Sequence, residues 1–556
     1  MIDRSRLRWN GWGWADYVDP IASRDEVWSW LACEMGMPSL LATPARPLED
    51  ITLPPSRLTA SQRHVLHIIL GADQVREDKF ERAFHARGRS YHDLLRLRAG
   101  DLSDAPDAVV YPQSGNDVLK LLAFASETST AVVPYGGGTS VVGGVTPTRG
   151  QFKSVLSVDL SAMNRIESID KESLTARVEA GIDGPTLERH LEGNGVTLGH
   201  YPQSFEFSTL GGWIAHRGAG QQSNRYGRAE DWLVAAELAT PRGILRDAEF
   251  PASAAGPRLT DLIEGSEGVF GIVTRATVRL HRIPETTETS AYLFRDFASG
   301  AQAIREAAQS EIPVAMLRLS DGEETGFHRA FSQIGAYRGF KDRITQQLLR
   351  ARRFGDGSCV LIAQFEGARD LVFFSRQRLN RIAKRIGTIA LGEGPGKRWR
   401  ANRFHGPYLR DPMLDRGLGV DTLETATSWS RVQPLYDAVR KALQDSIAAS
   451  TPRPGAKGVV MCHISHSYPD GASLYFTYIY PRTLNGDIEQ WRGIKQAATH
   501  AIAVNGGTIS HHHGVGQDHL PWMMQEKGML GVDVLRAVKR TLDPKGILNP
   551  EKLIPA

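Results

Sequence analysis

The sequence predicts a multidomain α+β protein, on the strength of its length, its alternation of short strands and helices, and its clustered glycines. At 556 residues, the chain exceeds what one hydrophobic core supports, since domains usually hold about 100–200 residues. Its 55 glycines gather in turns that directly follow predicted strands. Hydrophobic residues make up 41% and charged residues 23% of the chain, a globular mixture that excludes a disordered protein.

Composition excludes several other classes. No stretch reaches the roughly 18 apolar residues of a membrane-spanning helix, and residues 1–4 lack the apolar core of a signal peptide. We therefore expect a cytoplasmic protein without either element. Cys33, Cys359 and Cys462 have neither zinc-binding nor disulfide spacing. A net charge of +4 without a basic strip argues against a nucleic acid partner.

Changes in composition and in the pattern of predicted elements along the chain predict four regions. Residues 1–100 are expected to form a polar, helical N-terminal arm with a Trp-rich opening at 9–14, and residues 101–284 an α+β domain. Residues 285–500 are expected to form a cap domain, and residues 501–556 a C-terminal segment with a helical tail. Pro284 and the Thr- and Glu-rich stretch behind it mark the main boundary.

Hydrophobic periodicity and turn residues predict the individual elements. In the α+β domain, helices are predicted at 117–127 and 185–193, and strands at 130–134, 154–160, 174–180 and 274–281. In the second half, the runs 458–467 and 472–480 alternate around a Tyr-Pro-Asp-Gly turn, which predicts a β-hairpin. A helix is predicted over 482–505, and a mobile loop over 350–357.

A glycine-rich loop follows the strand at 130–134. Because glycine has no Cβ, successive backbone N–H groups can point at an anion, and a phosphate or pyrophosphate fits there. The loop lacks both the Gly-Lys-Ser/Thr ending of a P-loop and the G-x-G-x-x-G spacing of nicotinamide sites. A plain turn is the alternative for this loop alone. Its residues are Pro134, Tyr135, Gly136, Gly137, Gly138, Thr139 and Ser140.

Two later turns rich in small residues strengthen the prediction of a cofactor site. They supply hydroxyl groups and glycines that permit close approach, and the three segments together could wrap one dinucleotide. The second turn contributes Gln203, Ser204, Ser208, Thr209, Gly211, Gly212, His216, Arg217, Gly218 and Ala219. The third contributes Glu267, Gly268, Val269, Phe270, Gly271, Ile272 and Val273.

In order and spacing, these three segments resemble the vanillyl-alcohol oxidase/p-cresol methylhydroxylase superfamily of FAD proteins. The resemblance implies an FAD-binding PCMH-type domain of two α+β subdomains, a cap domain with an antiparallel sheet and helices, and a helical N-terminal arm. Some members tether FAD through a histidine of the first loop. Here that loop ends in Thr139 and Ser140, which implies noncovalent FAD.

The chain also resembles the alkyldihydroxyacetonephosphate synthase family nearly end to end. The motifs are RWNGWG at 8–13, LRL at 317–319, YLRD at 408–411, LYF at 474–476 and SHHHGVG at 510–516. That family replaces the acyl group of acyl-dihydroxyacetone phosphate with a long-chain fatty alcohol, giving an ether lipid precursor without net redox change. FAD N5 holds the substrate covalently between half-reactions. The resemblance implies this activity, these substrates and a homodimer.

The resemblance assigns catalysis to Tyr475 and to the run His511, His512 and His513. Tyr475 would be the general acid/base, for which we expect nearby cations to lower its pKa from about 10. A period of two places Tyr475 on the more polar face of its strand, whereas a buried core tyrosine is the alternative. An extended histidine run would put His512 opposite its two neighbours, so at most two would act together.

Two arginines and two apolar segments complete the predicted site. Arg410 is expected to bind the phosphate or a carboxylate, because a guanidinium donates two parallel hydrogen bonds to such anions. By resemblance, Arg318 supports the FAD environment, with a structural ion pair as the alternative. Residues 520–524 could line a tunnel for alkyl chains or pack as an ordinary helix. The tryptophans at 9–14 could contact a membrane surface.

Several alternatives stay open. We expect no metal at the histidine run, since no nearby carboxylate or cysteine completes a ligand set. An FAD-dependent dehydrogenase or oxidase of a 2-hydroxy acid, such as D-lactate or glycolate, is the first rival, and a flavin-holding subunit the second. The family has a basic residue where this chain has Gln517, a departure that affects recognition of phosphate or of a chain end. Residues 554–556 are not a peroxisomal tripeptide, and we expect a bacterial-type cytoplasmic or membrane-peripheral protein.

Overall fold

The computed structural model describes residues 2–333 and 354–555 and has the α+β architecture that the sequence predicts. Of the predicted loop at 350–357, residues 350–353 lie outside the described residues. Within the described ranges, the helices are too short or too polar to cross a membrane.

The N-terminal region is helical, as its sequence predicts. Local capping sets where several of these helices begin: Thr59 and Gln62 form a capping box, and Asp78 and Ser90 each accept a bond from a first-turn N–H. The helices are α1 (Asp25–Glu34), α2 (Ala60–Leu70), α3 (Lys79–Phe84) and α4 (Tyr91–Ala99).

The Trp-rich opening of this region is an internal packing element. Trp12 is only 5% exposed, and its ring lies 5.6 Å from that of Phe207. The backbone N–H of Trp12 donates to the Asp411 carboxylate at 3.0 Å. The prediction that these tryptophans contact a membrane is therefore wrong, because their apolar area is used against the α+β and cap domains.

The first sheet of the α+β domain is mostly parallel and contains the glycine loop. Its order is β1-β2-β4-β3, in which β2, β4 and β3 run parallel and β1 antiparallel. Ser114 caps the helix that connects β2 to β3. The carboxyl end of β3 opens directly into the glycine loop. The elements are β1 (Val75–Arg76), β2 (Ala108–Val110), α5 (Gly115–Thr128), β3 (Thr130–Tyr135) and β4 (Ser154–Asp159).

The second sheet is antiparallel, in the order β5-β6-β10-β8-β9. Its strands are β5 (Ile166–Asp170), β6 (Thr175–Glu179), β8 (Leu233–Thr240), β9 (Gly243–Arg246) and β10 (Ile272–Arg279), and β7 (Val196–Thr197) pairs separately with β11 (His281–Arg282). Its connecting helices are α6 (Gly184–Glu192), α7 (Leu210–Ala215), α8 (Ser223–Tyr226), α9 (Ala229–Trp232) and α10 (Thr260–Ile263).

The cap contains one large antiparallel sheet, in the order β15-β12-β14-β13-β17-β18-β16. The predicted hairpin is confirmed as β17 and β18. The strands are β12 (Thr286–Phe294), β13 (Met316–Ser320), β14 (Cys359–Gly367), β15 (Ile389–Gly392), β16 (Leu418–Ser428), β17 (Val459–Ser467) and β18 (Gly471–Pro481).

Helices cover this sheet and form the tail. They are α11 (Phe297–Gln309), α12 (Gly322–Gln333), α13 (Arg369–Ile386), α14 (Gly394–Asn402), α15 (Arg410–Leu414), α16 (Trp429–Ser450), α17 (Asp487–Val504) and α18 (Met523–Leu542). Leu474 and Phe476 of β18 belong to a core shared by the cap and the N-terminal region, whereas Ile509 belongs to the core of the α+β domain. The histidine run, which follows Ile509, therefore lies where the two cores meet.

Candidate active site

Tyr475 lies in the middle of β18 on the face that the period of two predicts. Its neighbours Leu474 and Phe476 are fully buried, while Tyr475 is half-buried. Directly opposite Tyr475 are His463 on β17 and Glu424 on β16. The His463 ring stacks on the tyrosine ring, with centroids 5.0 Å apart and planes at 19°. Cross-strand pairing thus assembles three functional groups in one row.

Glu424 organises the histidine run, and the sequence analysis did not identify it. Its carboxylate accepts the backbone N–H of His511 at 2.7 Å and those of His512 and His513 at 2.9 Å each. It also accepts the Ser510 hydroxyl at 2.9 Å. Glu424 is 2% exposed, so these bonds satisfy a buried charge. It had no distinct sequence signal, since β16 also contains Asp421 and several threonines.

The three histidines converge, and the prediction of an alternating run is wrong. Nδ1 of His511 lies 2.9 Å from Nδ1 of His512. The His512 ring is nearly parallel to that of Tyr475 at 6.2 Å, and the His513 ring is edge-on to it at 5.6 Å. The reason is that the backbone bends around one carboxylate, so that consecutive N–H groups point inward. The His512 and His513 rings lie beside the Tyr475 phenol, whereas Nε2 of His511 lies 2.6 Å from the Tyr468 hydroxyl.

Burial sets the protonation states of these groups. It lowers the pKa of His512 to about 3 and that of His513 to about 4, although Glu424 acts in the opposite direction. Burial raises the pKa of Tyr475 to about 12, and this outweighs the opposing effect of Arg410. The protein around Tyr475 therefore raises its pKa, and the expectation that nearby cations lower it is wrong. Neutral imidazoles thus face a protonated phenol.

Glu424 stays ionised in this environment. Burial acts to raise its pKa, but the neighbouring histidines and the backbone N–H groups hold it well below the ordinary value. A carboxylate fixed in this way can stabilise an imidazolium that forms beside it. The site therefore combines proton acceptors, one proton donor and a buried counter-charge.

Arg318 acts on Tyr475 through other side chains. Its Nη2 lies 2.7 Å from Glu324 Oε1 and 3.1 Å from Nδ1 of His463. His463, held by these contacts, stacks on Tyr475. The structural ion pair foreseen as the alternative thus exists, and it also orients an imidazole of the site.

Arg410, at the start of α15, lies close enough to Tyr475 to lower the pKa of its phenol, whereas its sequence neighbour Asp411 pairs with an arginine of the N-terminal region. Arg410 donates to the Arg89 carbonyl at 2.7 Å, and within the described residues no carboxylate hydrogen-bonds to it. Asp411 instead lies 3.3 Å from Nη1 of Arg8. The arginine thus keeps donors available for an anion while its charge influences Tyr475.

His466, unnoticed in the sequence, completes a possible metal ligand set with His511 and His512. Their ligand atoms lie within 4.8 Å of one another. Both ring nitrogens of His466 are already hydrogen-bonded, however, to the Gly220 carbonyl at 2.9 Å and to the Ser465 hydroxyl at 3.0 Å. Since metal binding would break one of these bonds, we retain the interpretation without a metal.

The three segments predicted to bind a cofactor meet in the structure. A Cβ on Gly137 would lie 1.9 Å from the Phe207 carbonyl oxygen, so the first and second segments touch through backbone. A Cβ on Gly268, whose φ is +74°, would lie 2.8 Å from Pro134 of the first segment. Only glycine allows these close approaches. Two small cavities also border Gly137.

The polar groups at this junction fit a bound FAD. Nε2 of His216 is buried and has no hydrogen-bond partner among the described residues, and a Cβ on Gly144 would lie 3.3 Å from it. The Ser140 hydroxyl accepts the Gly144 N–H at 3.0 Å. The Glu267 carboxylate accepts the Gly516 N–H at 2.7 Å, which joins the third segment to the histidine run. An unsatisfied donor or acceptor among glycines is what a dinucleotide site offers.

Two predicted cofactor residues lie away from this junction. Gln203 is exposed and donates to the Arg403 carbonyl at 2.6 Å. Arg217 is also exposed and lies 3.5 Å from Glu230. The other residues of the second and third segments occupy buried or half-buried positions: Ser204, Ser208, Thr209, Gly211, Gly212, Gly218, Ala219, Val269, Phe270, Gly271, Ile272 and Val273.

Two family models match separate parts of the chain. Residues 106–249 match the family described as "FAD binding domain". Residues 283–553 match the family described as "FAD linked oxidases, C-terminal domain". The cofactor loops therefore lie mainly in one matched region, and Tyr475 and the histidine run lie in the other.

Similarity to individual proteins extends over nearly the whole chain. An alkyldihydroxyacetonephosphate synthase of Dictyostelium discoideum is 36% identical over 92% of this chain and 84% of its own length. A solved alkyldihydroxyacetonephosphate synthase structure covers 100% of both chains with a TM-score of 0.83 and 31% identity. A p-cresol methylhydroxylase structure with bound substrate covers 90% of this chain and 98% of its own, with a TM-score of 0.67 and 17% identity, a likeness in fold.

Proposed function

This chain belongs to the alkyldihydroxyacetonephosphate synthase family, within the vanillyl-alcohol oxidase/p-cresol methylhydroxylase superfamily, and we propose that it exchanges the acyl group of acyl-dihydroxyacetone phosphate for a long-chain fatty alcohol. The bond between C1 and the acyl oxygen breaks, and the acyl group leaves as a carboxylate. A bond between C1 and the alcohol oxygen forms, and the alcohol proton is released. No electrons are gained or lost overall.

The proposed cofactor is noncovalent FAD, held by the three loop segments that meet at Gly137 and Gly268. The first segment ends in Thr139 and Ser140 and contains no histidine that could tether the flavin. When bound, oxidised FAD supplies an electrophilic ring nitrogen that suits a carbon nucleophile. Acid precipitation of the protein should release yellow FAD into the supernatant, whereas colour retained in the pellet would contradict the noncovalent assignment.

The placement of Tyr475 beside His512 and His513 carries the proposed mechanism. Neutral imidazoles accept the proton that leaves C1 next to the ketone. The charge that forms is stabilised by Glu424, whose carboxylate is fixed by the backbone of the run. After bond exchange, the imidazole returns the proton to C1.

Tyr475 is proposed to transfer protons to and from the two oxygen atoms that exchange at C1. With a pKa raised to about 12, its phenol is protonated and can donate to the leaving acyl carboxylate. The tyrosinate then accepts the proton of the incoming alcohol, which restores the starting state. Arg318, through His463, keeps the phenol ring oriented for both steps.

Arg410 is proposed to bind the phosphate of the substrate. Its guanidinium comes from the start of α15 and, in the part of the chain that the structure describes, makes one hydrogen bond, to a backbone carbonyl. A planar fork with free donors matches a phosphate. This contact would place C1 of the substrate, a few bonds from its phosphate, beside Tyr475.

The deciding experiment incubates the purified holoenzyme with palmitoyl-dihydroxyacetone phosphate and hexadecanol. We expect formation of the ether, release of palmitate and a flavin absorbance that stays that of the oxidised form. Reduction of the flavin by D-lactate or glycolate, with no ether formed, would favour the hydroxy acid dehydrogenase and overturn the proposal. A homodimer, which we also propose, should appear as twice the chain mass in light scattering.

A further inference from the structure

Lys552 is a buried lysine for which the described residues supply no ion-pair partner. It is 2% exposed, and among the described residues no carboxylate oxygen lies within 4.0 Å of its Nζ. Its contacts are to neutral oxygens, the Thr148 hydroxyl at 3.2 Å and the Pro550 carbonyl at 3.4 Å. Lys495, the other lysine that is buried among the described residues, is paired and lies 3.5 Å from Asp421. A buried lysine charge without a direct ion pair is costly, so Lys552 needs another reason to be there.

The segment that carries Lys552 is held in an unusual backbone conformation. Asn549, Glu551 and Leu553 have φ values of +39°, +61° and +62°. Non-glycine residues rarely adopt this region, and such strain clusters at ligand sites. Three strained residues in a stretch of five indicate that the placement of this segment is tightly constrained.

The same segment ties together the loops of the cofactor junction. Nδ2 of Asn549 donates to the Gly144 carbonyl at 3.1 Å and to the Glu267 carbonyl at 2.6 Å. The N–H of Leu553 donates to the Gly516 carbonyl at 3.2 Å. The segment therefore touches Gly144 just after the first loop, Glu267 of the third segment and the end of the SHHHGVG motif.

Gln517 shares a contact with Lys552. Its Nε2 donates to Thr148 Oγ1 at 2.9 Å, the same oxygen that Lys552 approaches. Gln517 is the position where the sequence analysis found a neutral side chain in place of a basic one. The positive charge on this side of the junction is thus supplied from a different part of the chain.

We propose that Lys552 faces the bound flavin and stabilises the negative charge that the ring takes up when a nucleophile adds to it. The inference rests on the proposed FAD binding and is independent of the ether-forming reaction. Burial lowers the pKa of Lys552 to about 7, opposed by nearby carboxylates including Glu267 and Asp93. Leu553 contacts Gly516, and Lys552 shares Thr148 with Gln517, so Lys552 lies on the side of the junction where the SHHHGVG motif ends.

A purely structural role is the competing explanation. Asp93 is fully buried, and its two carboxylate oxygens have no hydrogen-bond partner among the described residues. Lys552 would then serve only to offset the charges of Asp93 and Glu267. The two roles predict different affinities of the flavin ring for an added anion, because only a cation that faces the flavin changes that affinity.

Sulfite provides the test, because it adds to oxidised flavin as a nucleophile and bleaches the visible absorbance without either proposed substrate. In the holoenzyme, Lys552→Met should raise the dissociation constant for sulfite by about tenfold to a hundredfold. Lys545→Met is the matched control. That lysine is exposed and donates to the Ser126 carbonyl, so its replacement should leave the constant unchanged.

A second variant keeps the test decisive if Lys552→Met does not fold. Gln517→Lys places a new ammonium beside the same Thr148 oxygen and should tighten sulfite binding in the otherwise unchanged chain, and restore it in the Lys552→Met background. A Lys552→Met protein that loses thermal stability but binds sulfite normally overturns the proposal. So does a folded Gln517→Lys protein with unchanged sulfite affinity. Sulfite binding depends on the flavin and not on the two proposed substrates. Failure of ether synthesis can therefore be distinguished from failure of the proposal for Lys552.

Discussion

Glu424 and Tyr475 lie directly opposite one another on β16 and β18, yet the carboxylate bonds to the histidine run and not to the phenol. Its oxygens accept the N–H groups of residues 511–513. One sheet position therefore fixes the imidazoles beside the tyrosine, so that strand register controls the geometry of a loop far away in sequence. The first prediction follows from this arrangement.

Replacing Glu424 by Gln should disable the site without removing the cofactor. The amide keeps the shape but loses the buried charge that orders the run, and breaking such an interaction costs about 3–5 kcal/mol. We expect kcat to fall by about a hundredfold or more, with unchanged FAD content. Steady-state kinetics and the flavin spectrum measure this. Glu323→Gln, at an exposed glutamate paired with Arg440, is the control, and equal activity of both variants would contradict the role.

Replacing Tyr475 by Phe should remove the proton donor while leaving the sheet intact. We expect ether formation to fall by about 10²–10⁴-fold, the range for loss of general acid–base catalysis, in a yellow and folded protein. Tyr292→Phe is the matched control, since that hydroxyl bonds Asn380 in the cap. Substantial exchange by Tyr475→Phe would mean that the proton donor is another group.

Replacing Arg410 by Lys should weaken binding of the phosphate-bearing substrate. The charge stays, but the two-pronged hydrogen bond is lost, and KM for acyl-dihydroxyacetone phosphate should rise by about tenfold to a hundredfold. KM for the alcohol should not change, which separates this role from general damage. Arg400→Lys, at an exposed position of α14, serves as control. An equal rise in both KM values would argue against phosphate recognition.

Stability should decline on mild acidification. Burial lowers the pKa of His512 to about 3 and of His513 to about 4, from an ordinary 6.5. Between those values the unfolded chain binds more protons than the folded chain, so acid favours unfolding. Below its unfolded pKa, each such histidine lowers the free energy of unfolding by up to about 1.4 kcal/mol per pH unit. Above that pKa it has no effect on stability.

Urea unfolding across this pH range measures the effect. The free energy of unfolding should fall as the pH drops below about 6.5. His512→Gln should reduce the slope, whereas His190→Gln, at an exposed position of α6, should leave it unchanged. Identical slopes for wild type and His512→Gln would contradict the assignment of a neutral, buried imidazole.

Much of the fold could be predicted because its signals are local. The helix predicted at 117–127 is α5 (Gly115–Thr128), and the strand predicted at 154–160 is β4 (Ser154–Asp159). The hairpin of β17 and β18 was fixed by alternation and a Pro-Asp-Gly turn. Periodicity and turn chemistry depend on a few neighbouring residues, so the sequence is sufficient to predict these elements.

The sequence by itself determined the cofactor class, the family and the identity of Tyr475 and the histidines as candidates, because motifs are contiguous. Only the tertiary structure decided how these groups meet: Glu424 is 87 residues from His511, and Glu267 is 249 from Gly516. Folding also decided the charge states, since burial raises the phenol pKa and lowers those of the imidazoles. Desolvation and strand register depend on the packed chain as a whole, and residue order alone does not reveal them.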